Sequence, residues 1–229
     1  MEKDFLLIDD RIPIGANSGN KSLVIKIPAH IFSYIFHPLF IPVIVSAYLA
    51  FLQPGFFTGI PYEEKIYILI RVAYNTIFFP LFTILLLKGL GFIKSIFLKT
   101  QRERIIPYVA SNIYYFWMYL VFRNQPAVPL ILTSFIFGIF LSSSFALLAN
   151  VYFKISMHAL GMGAFSGLML VIIFSGLSYS VFLPAMLVFL LTGLVCTSRM
   201  IVSDHLPVDI YAGIFLGIVS QFIAQAFIG

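Results

Sequence analysis

An arginine, a histidine and two aspartates lie in the stretch Thr197–Gly213, which separates two long apolar runs. They are Arg199, Asp204, His205 and Asp209. Ionisable groups at a membrane boundary are costly, which favours a functional role for them. If a helix starts near Asp204, His205 and Asp209 share one face, and the carboxylate can then hold the imidazole in one tautomer. The Arg199 guanidinium suits phosphate oxygens; the structural alternative is a buried ion pair that joins two spans.

Two further polar clusters precede this stretch in the chain. The first lies in the polar connection Lys88–Pro107, which holds Lys94, Lys99, Arg102 and Arg104 within about a dozen residues. Taken alone, such a cluster is more often a cytoplasmic charge anchor than an anion site. The second cluster follows Asn150 and contains Lys154, Ser156 and His158.

Together the three clusters hold the groups that hydrolysis of a phosphate ester requires. Cations must gather the phosphate oxygens, a nucleophile must attack in line, and an acid must protonate the leaving oxygen. The candidate cations are Lys99, Arg104 and Arg199. His205, held by Asp209, is the candidate nucleophile, and His158 is the candidate acid. Two histidines in different surroundings can hold different protonation states near neutral pH, as these two roles demand.

Metal binding is the competing interpretation of the same residues. His158, Asp204, His205 and Asp209 are all side chains that zinc accepts as ligands. A site that already contains several cations repels a further one. We therefore expect no metal and no other cofactor.

The composition is that of an integral membrane protein. Hydrophobic residues make up 61% of the 229 residues and charged residues 10%, and the mean hydropathy is +1.02. Soluble domains are roughly a quarter charged. The single Cys196 excludes a disulfide within the chain. The net charge of +5 comes without the basic, aromatic-rich face that nucleic-acid binding needs, so we expect no nucleic-acid partner. Residues 1–26 lack the pattern of a signal peptide.

Seven apolar stretches approach the length that a helix needs to cross a bilayer of about 30 Å. They lie at about 29–53, 66–90, 108–122, 129–150, from His158 to about 177, 181–196 and 208–228. The third is short, so we predict an all-α integral membrane protein with six or seven transmembrane helices. Because successive crossings alternate in direction, the three polar clusters emerge together, which predicts a site at one membrane face. Gly161, Gly163 and Gly167 predict a close helix–helix approach.

The predicted organisation is a polar N-terminal tail, residues 1–28, followed by a single transmembrane domain, residues 29–229. The chain shows no internal repeat and no linker long enough to separate domains. His30 and His37, seven residues apart at the start of the first span, are more typical of packed or interfacial histidines than of ligands.

In these motifs the chain resembles the type 2 phosphatidic acid phosphatase superfamily of membrane lipid phosphatases. The third motif of that family, Ser-Arg, five residues, His, three residues, Asp, is matched without a gap from Ser198 to Asp209. The second, Pro-Ser-Gly-His, reads Ile155-Ser156-Met157-His158 here. The first, Lys, six residues, Arg-Pro, keeps its spacing from Lys99 to Pro107, but Ile106 occupies the arginine position. The resemblance covers a core of about residues 66–229.

The resemblance implies a role for each matched residue in a metal-independent hydrolysis. His205 would become a phosphohistidine, Asp209 would orient it, and His158 would protonate the leaving group. The implied phosphate ligands are Lys99, Ser156 and Arg199, with Arg104 in place of the missing arginine and Arg102 and Lys154 as additional candidates. Substrates in the family include phosphatidate, phosphatidylglycerophosphate and undecaprenyl diphosphate, and the apolar composition favours such a lipid phosphate over a soluble one.

The distribution of cations bears on orientation. Eleven of the fourteen Lys and Arg residues fall on the side of the motifs, which predicts a cytoplasmic site by the positive-inside rule. Many members of the family instead face the periplasm or a lumen. We expect a bacterial inner membrane, with the charge bias favouring the cytoplasmic side.

Two other functions use the same residues. A transporter or other lipid-binding protein could hold an anionic head group without cleaving it, and a lipid phosphotransferase could pass the phosphoryl group to another lipid. A polar break in the middle of a helix pair is typical of transport, whereas the clusters here lie at the ends of spans.

Overall fold

The computed structural model describes residues 23–93, 101–150, 152, 155–177, 179–202 and 205–229. Within these ranges the chain forms α-helices and no strands. The helices are α1 (Leu23–Ile35), α2 (Ile41–Ala47), α3 (Tyr62–Ala73), α4 (Phe79–Gly89), α5 (Gln101–Arg123), α6 (Leu130–Ala149), α7 (Met157–Phe174), α8 (Phe182–Val202) and α9 (Pro207–Ile228). A π-helical turn, Tyr48–Leu52, extends α2, and another, Tyr74–Phe78, joins α3 to α4 without a break.

Six helices in the described part of the chain are long and apolar enough to cross a membrane. The first of them is the continuous helix Tyr62–Gly89, and the other five are Ile105–Arg123, Leu130–Ala149, Met157–Phe174, Phe182–Val202 and Pro207–Ile228. The predicted fold class, an all-α multi-pass membrane protein with six or seven such helices, is confirmed.

The predicted first span, 29–53, is not one helix. It divides into two shorter apolar helices, Val24–Ile35 and Ile41–Leu52, with a turn in which the Phe40 amide donates to the His37 carbonyl (2.8 Å). Pro38 explains the break, because proline has no N–H to donate and disfavours a helical conformation in the preceding residue. The first of these helices begins at Leu23, within the stretch that the sequence assigned to the polar tail.

The segment after this turn runs from one end of the bundle to the other. Gly161, the fifth residue of α7, faces Pro38 and Ile41. At the far end, the Ser180 hydroxyl, just before α8, donates to the side-chain oxygen of Gln53 (2.9 Å). We call the end where α7 and α9 begin the motif end, and the end with Gln53 and Ser180 the opposite end.

The predicted polar connection Lys88–Pro107 contains the start of a helix. α5 begins at Gln101 and takes in Pro107, which lengthens the short third apolar run to a helix of 23 residues. A large apolar core lies between the helices toward the opposite end, and its largest fully buried side chains include Phe57, Phe122 and Phe135.

Glycines bring α7 and α9 into close parallel contact. A Cβ atom added to Gly163 would lie 2.5 Å from the Ile214 carbonyl oxygen, and one added to Gly217 would lie 2.5 Å from the Leu160 carbonyl oxygen. Gly167 is similarly close to Ile218. The close approach predicted for Gly163 and Gly167 is confirmed, whereas Gly161 makes only ordinary contacts with α2 and the turn before it.

This contact makes a matched pair of glycine substitutions informative. We expect Gly217→Ala to lower the free energy of unfolding by about 1–3 kcal/mol, since the added methyl group meets rigid backbone. Gly193→Ala, in α8, is the control, because no atom lies within 4 Å of its added Cβ and alanine favours a helix by about 1 kcal/mol. Thermal unfolding in detergent measures both. Equal effects of the two substitutions would contradict the close α7–α9 contact.

Candidate functional site

The second and third motifs meet at the N-termini of α7 and α9. Ser156 is fully buried and caps α7, its hydroxyl accepting from the Ala159 amide at 3.5 Å. The Ser156 amide donates to the Asp209 carbonyl at 3.2 Å. A Cβ added to Gly213 would lie 2.9 Å from the Ser156 carbonyl oxygen, so glycine at 213 lets the two helices begin side by side.

Asp209 has two tasks at the start of α9. Its carboxylate accepts a hydrogen bond from the Leu206 amide at 2.9 Å, which satisfies a free N–H at the helix end. The same oxygen lies 3.6 Å from Nδ1 of His205, an ion-pair distance when the imidazole is charged. The side chain of His205 is only 6% exposed, and that of Asp209 only 9%. The predicted His–Asp pair therefore exists, and its carboxylate faces Nδ1 and leaves Nε2 on the other edge of the ring.

His158 contacts residues of the N-terminal helix. Its Nε2 lies 3.0 Å from the Ser33 carbonyl oxygen, and its ring meets the His37 ring edge-on, with 5.3 Å between centroids. Nη1 of Arg199 donates to the Ser33 hydroxyl at 3.4 Å. Arg199, His37 and His205 all lie within electrostatic range of His158. Both candidate catalytic histidines are therefore at the motif end.

The residue that follows the first motif lies near the second motif. Tyr108, which follows Pro107, belongs to the same buried apolar cluster as Ile155, the first residue of the second motif, and Leu160, in the first turn of α7. The predicted ligands Lys99 and Lys154 lie outside the described residues. Arg102 and Arg104 belong to the first turn of α5, and their side chains lie outside the description.

Sequence reasoning missed Ser33 and His37. The N-terminal helix lies outside the family resemblance, and His37 was interpreted as a packing or interfacial residue. A backbone carbonyl, which is what Ser33 presents to His158, has no signature in sequence. Seven residues of continuous helix would place His30 and His37 on one face. His30 instead lies exposed beside Tyr34, because α1 ends between the two histidines.

Several positive groups lie at the motif end, beside the Asp209 carboxylate. α7 and α9 both begin there, and a helix N-terminus carries about half a positive charge with free N–H groups. Arg199 adds a permanent charge. Burial lowers the pKa of His37 from 6.5, and the charge of Arg199 lowers it further. A phosphate would relieve the repulsion between these groups.

The shift at His37 predicts a pH dependence of stability. Because the unfolded chain protonates His37 at a higher pH than the folded protein, the free energy of unfolding falls as the pH drops below about 6.5. His37→Phe removes this contribution, so we expect the variant to lose less thermal stability than the wild type between pH values of about 8 and 5. Thermal unfolding in detergent at both pH values is the measurement. Equal losses would contradict a depressed pKa.

A metal site would require several ligand side chains to lie close together, and the described residues include three of the four candidates, His158, His205 and Asp209. Among the described residues, no three His, Cys, Asp or Glu side chains come together as metal ligands would. Asp204, the fourth candidate, lies outside the description.

Comparison with known proteins adds no relative. No family model, no curated protein and no solved structure matches the chain.

Proposed function

We propose that the protein is a membrane lipid phosphatase of the type 2 phosphatidic acid phosphatase kind, which hydrolyses a lipid phosphate or diphosphate through a phosphohistidine without a metal. One observation carries the proposal. The Ser156 amide bonds the Asp209 carbonyl, so the two motifs that contain His158 and His205 join at one end of the bundle. Anion-attracting helix ends and Arg199 surround them, as transfer of a phosphoryl group requires.

The residues take complementary roles in this mechanism. Nε2 of His205 attacks phosphorus while the Asp209 carboxylate stabilises the charge that grows on the ring. Arg199 and the N–H groups at the start of α7, which Ser156 caps, bind the phosphate oxygens. His158 protonates the leaving oxygen, then takes a proton from the water that hydrolyses the phosphohistidine. Lys99 and Arg104, with Arg102 and Lys154, are the proposed additional cations.

The substrate in this proposal is a lipid, such as phosphatidate, phosphatidylglycerophosphate or undecaprenyl diphosphate. A helical bundle with so little polar surface offers an apolar chain a route between helices, and a head group at a span end would reach His205 without leaving the interface. We propose a bacterial inner membrane, with the cation bias favouring a cytoplasmic site.

Phosphate release from a panel of lipid phosphates and diphosphates, in detergent with EDTA, tests this proposal. We expect release from at least one lipid, and no loss when EDTA is added. His30→Ala is a matched control for substitutions of the site histidines, because His30 is exposed on α1. Binding of lipids without release from any of them would overturn the hydrolase and favour a lipid-binding protein or transporter. Transfer to a second lipid in place of water would favour a phosphotransferase.

A further inference from the structure

In the last turn of α1, the Ser33 carbonyl lacks the hydrogen bond that a helix normally forms to the amide four residues on. In a continuing helix the Ser33 carbonyl would accept from the His37 amide, four residues on. That amide instead donates to the Tyr34 carbonyl at 3.4 Å. The Ser33 oxygen lies 3.0 Å from Nε2 of His158. Because a carbonyl oxygen only accepts, Nε2 must carry the proton of this bond.

The same turn holds the ring of His158 from a second side. The His37 ring stands at 84° to it, and His37 itself is oriented by the Leu39 amide, which donates to its Nδ1 at 3.4 Å. Pro38, the next residue, packs on Gly161 near the start of α7. The turn between α1 and α2 therefore fixes both the position of the His158 ring and the nitrogen that keeps a proton.

We propose that Ser33, through its carbonyl, and His37, through its ring, are positioning residues that hold His158 with a proton on Nε2, so that Nδ1 is the atom that exchanges protons with the substrate. This inference rests on the proposed function for its chemical consequence. A carbonyl partner on one nitrogen sets the tautomer and raises the basicity of the other, as second partners of histidine do elsewhere.

The proton balance of both half-reactions runs through Nδ1. The bound phosphate favours the doubly protonated ring. As the phosphorus–oxygen bond to the lipid breaks and the bond to Nε2 of His205 forms, Nδ1 of His158 gives its proton to the leaving oxygen. Water then attacks the phosphorus of the phosphohistidine and gives one proton to Nδ1 of His158. The bond between phosphorus and Nε2 of His205 breaks, phosphate leaves, and both histidines return to their starting protonation states. Throughout, Nε2 of His158 keeps its proton and donates a hydrogen bond to the Ser33 carbonyl oxygen.

Nitrogen NMR of histidine-labelled protein in detergent tests the tautomer without any assay of activity. The chain has four histidines, so the signals of residue 158 are those lost in His158→Gln. We expect a protonated Nε2 and an unprotonated Nδ1 at neutral pH in the wild type. A proton on Nδ1, or an even mixture of tautomers, would overturn the proposal.

Two substitutions of His37 test its share of the positioning. We expect His37→Ala to allow both tautomers at His158 and to lower kcat about ten-fold with little change in KM, while His37→Phe keeps the ring edge and restores both. Unchanged tautomer and kcat in His37→Ala would exclude His37 as a positioning residue. If the tautomer is as expected but no lipid is hydrolysed, the proposed function fails and the positioning stands. If a lipid is hydrolysed but His158 holds the other tautomer, the proposed function stands and the positioning fails.

Discussion

Replacing His205 with Ala is expected to lower phosphate release by about four orders of magnitude or more. The reaction would lose its nucleophile, and the remaining groups could only bind and polarise the phosphate. The assay is initial-rate phosphate release at saturating lipid, on protein with the wild-type thermal unfolding profile. His30→Ala, the exposed histidine, should keep the wild-type rate.

A His205→Ala protein that keeps more than about a tenth of the wild-type rate would be incompatible with attack by this imidazole. Loss of folding would not explain a low rate, since only variants with the wild-type unfolding profile are compared. A similar loss in His30→Ala would point to a general sensitivity of the protein.

Asp209→Asn is expected to have the second-largest effect, a fall in kcat of about two to four orders of magnitude. The amide oxygen of Asn can still accept from the Leu206 amide, as the carboxylate does at 2.9 Å, so the start of α9 should persist. The negative charge that faces Nδ1 of His205 at 3.6 Å is lost. The imidazole then loses the partner that orients it and stabilises its cationic form. Steady-state kinetics of the purified variant give this fall directly.

Asp209→Ala separates the two tasks of this residue. It removes the charge and the cap together, so we expect a similar fall in kcat and a further loss of about 1 kcal/mol in the free energy of unfolding. If Asp209→Asn is fully active and only Asp209→Ala is impaired, the carboxylate serves α9 alone and has no part in the chemistry.

Hydropathy and crossing direction account for most of what could be predicted about the fold. Apolar length predicts five of the six long helices, because a span must satisfy its backbone internally. The sixth, in α5, corresponds to the third apolar run, which looked short. The break after Ile35 was not predicted, because the residues on both sides of Pro38 are apolar and the run looks continuous. Pro38 was the one signal in the sequence that could have indicated it. The extension of α5 back to Gln101 was missed because a charged, polar stretch can be helical where it leaves the membrane.

The site could be predicted where its residues are close in sequence or where the order of crossings brings them to one membrane face. His205 and Asp209 are four residues apart and do meet, but the expected helix start near Asp204 was wrong. Since α9 begins at Pro207, the pair forms across the helix N-terminus and not within the helix. The meeting of this pair with His158 follows from counting crossings, and the Ser156–Asp209 bond agrees with it. Ser33 lies 125 residues from His158, and its contribution is a backbone oxygen that any residue type would supply. Contacts of that kind depend on tertiary structure alone.

The central claim is that His205 receives the phosphoryl group, and trapping that intermediate tests it most directly. Protein is mixed with a lipid phosphate that carries labelled phosphorus, quenched in alkali during turnover, digested and examined by mass spectrometry. We predict an acid-labile phosphate on Nε2 of His205 that is absent in His205→Ala. Turnover with no phosphate on His205, or with the phosphate on another residue, would contradict the proposed mechanism.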